Sequence, residues 1–155
     1  MKRVTGIGGI FVRAQNPEWL YEWYEKHLGI KREDPSSAVF HWRDAQNPKK
    51  KGMTVWSLFP AHTKYFGEGP QSFMLNYRVD DLKSVLKVLR AEGVKVEAKM
   101  EEHEYGNFGW ITDPEGNRVE LWEPPVERVS SGSKKKPAKK KSKADGKKKK
   151  KKKKR

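Results

Sequence analysis

Few residues of this 155-residue chain are placed to do chemistry together, and most of them lie on strand-like stretches. Side chains alternate between the two faces of a strand. On Phe73–Val79 the apolar Phe73, Leu75, Tyr77 and Val79 share one face, leaving Met74, Asn76 and Arg78 on the other. On Arg118–Glu123, Val119 and Leu121 leave Arg118, Glu120 and Trp122 opposite them. On the first strand, Ile10, Val12 and Ala14 leave Gly9, Phe11 and Arg13, and Met53–Phe59 is expected to leave Thr54, Trp56 and Leu58. A carboxylate, an amide and guanidinium groups among aromatic rings are the components of a small-molecule site. His41, between Phe40 and Trp42, is the one histidine in a strand-like stretch, where a hydrogen-bonded structural role competes with a site role. His27 lies near a helix end, suited to the helix dipole, and His62 and His103 lie in loop-like segments.

Other chemistries lack their residues. Without cysteine there is no disulfide, thiolate metal site or thiol nucleophile. Neither a Gly-x-x-x-x-Gly-Lys loop nor a His-Glu-x-x-His pair is present. Gly6-Ile7-Gly8-Gly9 leads into a strand rather than a helix, which is wrong for a dinucleotide fingerprint. Ser57 has no nucleophile-elbow context.

The elements that must position these residues recur along the chain. Ile7–Arg13 reads as a strand, and Asn16-Pro17-Glu18 opens a helix that Gly29 stops, with Leu20, Trp23, Tyr24 and Leu28 on one face. Ala38–Arg43 and Met53–Phe59 read as strands. The pattern then repeats. Phe73–Val79 is a strand, Asp80 or Asp81 caps a helix bearing Leu82, Val85, Leu86 and Leu89, and Gly93 ends it. Val94–Met100, Phe108–Thr112 and Arg118–Glu123 follow, the last two flanking the turn Asp113–Asn117. Arg13 recurs as Arg78 at 65 residues, and Gly29 as Gly93 and Val55 as Val119 at 64.

Charge divides the chain elsewhere. Residues 1–129 hold 19 basic and 19 acidic side chains, together with every Trp, Phe and Tyr. Ser130–Arg155 holds 15 Lys, one Arg and one Asp, so the whole net charge of +15 lies there. Expected, then, are a domain over residues 1–125, with units at about 4–60 and 73–125, and a flexible Lys-rich tail over 126–155. A run such as 134–155 suits nucleic acid or another polyanion, or has no dedicated partner. No stretch suits a membrane span or a signal peptide, so a cytoplasmic protein is the expectation.

Asn16-Pro17-Glu18 with His27-Leu28-Gly29, Asn76 through Leu82, Arg90 through Val94 and above all Gly109 through Pro124 resemble the vicinal-oxygen-chelate superfamily. Its members include glyoxalase I, bleomycin-resistance proteins and extradiol dioxygenases. The resemblance implies an α+β fold in which two repeated β-α-β-β-β units form a curved mixed sheet around a cavity. It also implies metal ligands at Gly9, Trp56, Met74 and Glu120, of which only Glu120 can coordinate a hard divalent ion. The expected pocket is Phe11, Arg13, His41, Trp56, Met74, Asn76, Arg78 and Trp122, with Glu120 as the catalytic candidate. No cofactor is expected. Each member has a structural alternative: the arginines at strand ends, Glu120 in an ion pair, Trp56 and Trp122 filling the cavity.

Two functions follow from the resemblance: metal-independent binding of a small molecule, or a divalent-metal lyase, isomerase or dioxygenase. Whether the chain is an enzyme stays open, as does a homodimer.

Overall fold

The computed structural model describes residues 3–125. The tail therefore lies outside the described residues. The elements are β1 (Val4–Ala14), α1 (Pro17–Leu28), β2 (Ala38–Arg43), β3 (Lys51–Pro60), β4 (Phe73–Val79), α2 (Leu82–Ala91), β5 (Lys95–His103), β6 (Gly106–Thr112) and β7 (Arg118–Glu123).

Local chemistry sets the helix ends. Asn16 accepts a hydrogen bond from the Trp19 amide at 3.1 Å, and Pro17 opens α1 with a fixed φ and no orphan N–H. Gly29 ends α1 at φ 69°, a left-handed conformation that a side chain would oppose. Asp81, rather than Asp80, caps α2 by accepting from the Ser84 amide at 3.0 Å. The Glu123 carboxylate also accepts from the Leu82 amide at 2.8 Å, fastening β7 to the start of α2.

One seven-stranded mixed sheet runs in the order β2-β3-β1-β4-β7-β6-β5. The central pair β1 and β4 is antiparallel, while β1–β3 and β4–β7 are parallel, so each half repeats the same arrangement about the middle. The first unit carries two strands after its helix and the second carries three. In the first unit the polar segment before β2 turns on Asp34, whose carboxylate accepts from the Ser36 amide and the Ser37 hydroxyl, leaving only an isolated Asp34–Ser37 bridge.

One sheet face is covered by the helices. Tyr21 of α1 packs with Ala14, Ala38, Trp56 and Leu58, and α2 buries Leu82, Val85 and Leu86 against Val79 and Leu121. The buried stripe of α1 is centred on Tyr21 with Leu20 and Tyr24, whereas Trp23 and Leu28, expected on that stripe, stay exposed. Val119, Ile111 and Tyr77 fall on the α2 side as alternation requires.

β3 corrects the expected faces. Trp56 packs edge-on against Tyr21 and Tyr24, with Leu58 beside it, so the pair belongs to the helix side rather than to the pocket. Val55 and Phe59 are the residues that reach the opposite core. The cause is a one-residue error in the repeat. Asn76 pairs with Glu120 across β4–β7, and Phe11, 65 residues before Asn76, pairs with Ser57 across β1–β3. Ser57, not Trp56, is thus the counterpart of Glu120. A one-residue slip exchanges every side chain between faces.

Candidate functional site around Glu120

The face away from the helices carries Phe11 from β1, Met74 and Asn76 from β4, Glu120 and Trp122 from β7, and Trp110 from β6. Adjacent parallel strands set Asn76 beside Glu120 and Arg78 beside Trp122. Antiparallel pairing sets Trp110 beside Glu120 from the other side.

Glu120 is fully buried. Its carboxylate accepts three hydrogen bonds: from Asn76 Nδ2 at 2.6 Å, from Trp110 Nε1 at 2.8 Å and from the Tyr65 hydroxyl. Burial pushes the Glu120 carboxyl above the ordinary glutamate range, while those three donors and the nearby Arg118 charge pull it back. Tyr65 is pushed upward as well, by burial first and then by the neighbouring carboxylate. A phenol held protonated beside a carboxylate is a hydrogen-bond donor at any ordinary pH.

The space over this cluster is occupied by the connection between the two units, residues 61–72. Phe66 from it is buried with Phe11, Met74 and Trp110, and Tyr65 stacks on Phe59 at 5.3 Å. Two arginines hold the connection in place. Arg13 donates to the carbonyls of Thr63, Gly67 and Gly69 at 3.4, 3.3 and 3.0 Å, with its guanidinium 5.1 Å from the Phe66 ring centre. Arg118 donates to the Tyr65 carbonyl, pairs with Glu97 and lies 4.7 Å from the Trp110 ring.

Phe11, Met74 and Asn76 therefore surround Glu120 with Tyr65, Phe66 and Trp110. Arg13 is a clamp on a loop rather than a pocket residue, and Glu120 pairs with neither Arg13 nor Arg78. Trp110 shares a face with Phe108 on β6, so the same alternation would have found it. Tyr65 and Phe66 lie in an irregular segment, where no periodicity marks an inward side chain.

The groups do not fit a divalent ion. Gly9, Met74 and Ser57 offer no hard charged ligand, and the Glu120 oxygens face the positive ends of N–H and O–H dipoles, where a cation would be repelled. No group of three or more His, Cys, Asp or Glu able to hold a metal occurs among the described residues.

The opposite end of the same face is open. A cleft of about 660 Å³ lies against Met53, Arg78, Trp122 and Pro124, with Lys50 and Lys51 at the start of β3 and His41 at its rim. The His41 side chain is 67% exposed and lies 3.2 Å from Glu33. Trp122 is fixed by donation from Nε1 to the Tyr105 carbonyl at 2.9 Å and by stacking on Phe108. The expected pocket thus divides into a packed part around Glu120 and an open part at His41, Arg78 and Trp122.

A doubled β-α-β arrangement on one mixed sheet, with a carboxylate from the last strand at the centre of the uncovered face, defines a glyoxalase-type domain. Consistent with this, the chain belongs to the Glyoxalase/Bleomycin resistance protein/Dioxygenase superfamily, whose family model matches residues 6–121. Solved structures show the same fold. A methylmalonyl-CoA epimerase from Mycobacterium tuberculosis is 21% identical, with 79% of this chain and 89% of that one covered and a TM-score of 0.51. A Streptomyces coelicolor methylmalonyl-CoA epimerase in complex with 2-nitronate-propionyl-CoA is 14% identical, covering 78% and 98%, with a TM-score of 0.60. An NAD-dependent benzaldehyde dehydrogenase from Legionella pneumophila is 12% identical, covering 76% and 98%, with a TM-score of 0.51. At these identities the likeness is one of fold. No curated protein matches the chain. No helix among the described residues is long and apolar enough to cross a membrane.

Proposed function

We propose that this protein binds a small molecule without a metal, at the open end of its uncovered sheet face, and that its basic tail associates with polyanions. The observation that carries the first part is the cleft of about 660 Å³, one step along β4 and β7 from the Asn76–Glu120 pair. Its volume is in the range of ligand sites, and it sets apolar walls, Met53, Val79, Trp122 and Pro124, beside a more numerous charged set. Glu120 supports the reading from inside, because its three donors fasten β4, β6 and the connecting loop behind the cleft rather than presenting a free carboxylate. The domain over residues 1–125 is the binding unit in this reading, and residues 126–155 are an appendage to it.

A fragment screen by thermal shift tests this. A ligand at a hundred times its Kd should stabilise the folded protein by about 2.7 kcal/mol, seen as a rise in Tm. It should also change the fluorescence of Trp122, while Trp56, packed under α1, responds little. If no fragment of a broad set raises Tm, the protein is not a small-molecule binder of this kind.

Metal independence has its own test. Ni²⁺, Zn²⁺, Fe²⁺ and Mn²⁺ are expected to bind no tighter than about millimolar, since one carboxylate replaces the usual three ligands. Calorimetry showing one micromolar site per chain, lost in Glu120→Ala, would restore the metalloenzyme reading.

A further inference from the structure

Charge in the cleft is unevenly matched. Of its two acids, Glu123 is engaged on the amide of Leu82, and Asp80 lies 3.4 Å from Lys50. Lys49, Lys51 and Arg78, which also line the cleft, have no carboxylate partner among the described residues. Arg78 donates from Nη1 to the Lys51 carbonyl at 3.3 Å, and its Nε is buried with no hydrogen-bond partner. A guanidinium that is partly withdrawn from water and unmatched by a carboxylate is costly, and an anion is the group that relieves it. Guanidinium groups take carboxylate or phosphate oxygens through charge-assisted, often paired, hydrogen bonds. The other walls, Met53, Trp122 and Pro124, offer apolar surface to the rest of a ligand.

We propose that the ligand is a small amphiphilic anion with a single head, its carboxylate or phosphate on Arg78 and Lys51 and its apolar body against Met53 and Trp122. This inference rests on the small-molecule reading and adds the ligand's class. A single head suits the cleft better than a polyanion does: four cations (Lys49, Lys50, Lys51 and Arg78) face two acids (Asp80 and Glu123), and the surplus of two positive charges fits one carboxylate or phosphate.

The test is a titration of the full-length protein, followed by the Trp122 indole signal and the Met53 and Arg78 amide signals in NMR. The probes are benzoate, phenyl phosphate and the neutral benzamide. Benzoate, phenyl phosphate or both should shift these signals saturably, the better of the two naming the head group, and benzamide should bind at least about tenfold more weakly. Arg78→Met should weaken the preferred anion about tenfold to a hundredfold, the loss expected for a charge-assisted hydrogen bond. Lys51→Gln gives a smaller loss in the same direction, and it serves if the Arg78 variant does not fold. The tail is identical in every variant, so these differences report the cleft.

Equal binding of benzamide and benzoate at these signals overturns the anionic class while leaving the small-molecule reading standing. Anion shifts confined to lysines beyond Ser133 mean counter-ion association alone and also overturn it. If no probe moves the cleft signals, the anionic class falls, and the fragment screen decides the broader reading by itself.

Discussion

Glu120→Leu is expected to destabilise the protein by about 3 kcal/mol or more, while Glu120→Gln leaves it folded. In the wild type, Asn76 Nδ2, Trp110 Nε1 and the Tyr65 hydroxyl all end on this one carboxylate. Leucine takes away the acceptor and leaves three donors in an apolar core formed by Phe11, Phe66, Met74 and Trp110. Each buried donor left without a partner costs roughly 1–3 kcal/mol, offset only in part because the buried charge is also removed. Glutamine keeps one carbonyl oxygen for Trp110 and Tyr65. Its amide can donate to Asn76, whose Oδ1 is buried without a partner and becomes the acceptor if the Asn76 amide turns over. Urea unfolding of the three proteins checks this, and a leucine variant as stable as the glutamine variant would mean that these hydrogen bonds do not hold the core.

The wild type and Glu120→Gln also give a pH dependence of known sign. Because burial raises the Glu120 carboxyl in the folded protein, the folded state favours its protonated form more than the unfolded chain does. Its contribution to stability is fully present below the ordinary glutamate range of about 4.3 and is lost as pH rises through the raised folded value. The wild type should therefore lose stability relative to Glu120→Gln as pH rises from about 4 towards neutrality. Unfolding curves that stay parallel across that range would mean that the three donors cancel the effect of burial.

What could be read from the sequence, and what could not, follows from where each residue sits. β4 and β7 are regular, their apolar residues alternate, and both faces came out as expected, including the Asn76–Glu120 side. β3 failed because Met53 through Phe59 is apolar or small at nearly every position, so alternation gives no phase, and a repeat offset one residue off moved Trp56 and Leu58 to the wrong side. Pairing with β1 fixes that phase, and pairing is a long-range fact. Arg13 was legible as a residue on the uncovered face. Its work on the carbonyls of Thr63, Gly67 and Gly69 was not, since any side chain can precede those acceptors. Tyr65 carries the same lesson further. Its hydroxyl reaches Glu120 from a connection without regular structure, and only the packed molecule shows that this connection covers Glu120.

Removal of the residues after Pro125 is expected to abolish most binding to nucleic acid while leaving Tm nearly unchanged. The nine elements and three buried clusters of the described residues lie before that point, as does the matched family region, 6–121. The residues removed beyond Ser130 carry 16 basic side chains against one acidic one, and their only aliphatic side chains are two alanines. A run of that kind binds phosphates by displacing condensed counterions. If about six phosphates on duplex DNA are engaged, log K should fall with log salt at a slope near −5, without preference for sequence. The truncated protein holds as many acidic as basic side chains, so its affinity should be low and its slope far shallower. Electrophoretic titration of both proteins against random duplex at several salt concentrations reads the slopes directly. Equal affinity of the two proteins, or a full-length slope near zero, would show that the tail's charge is not used on nucleic acid.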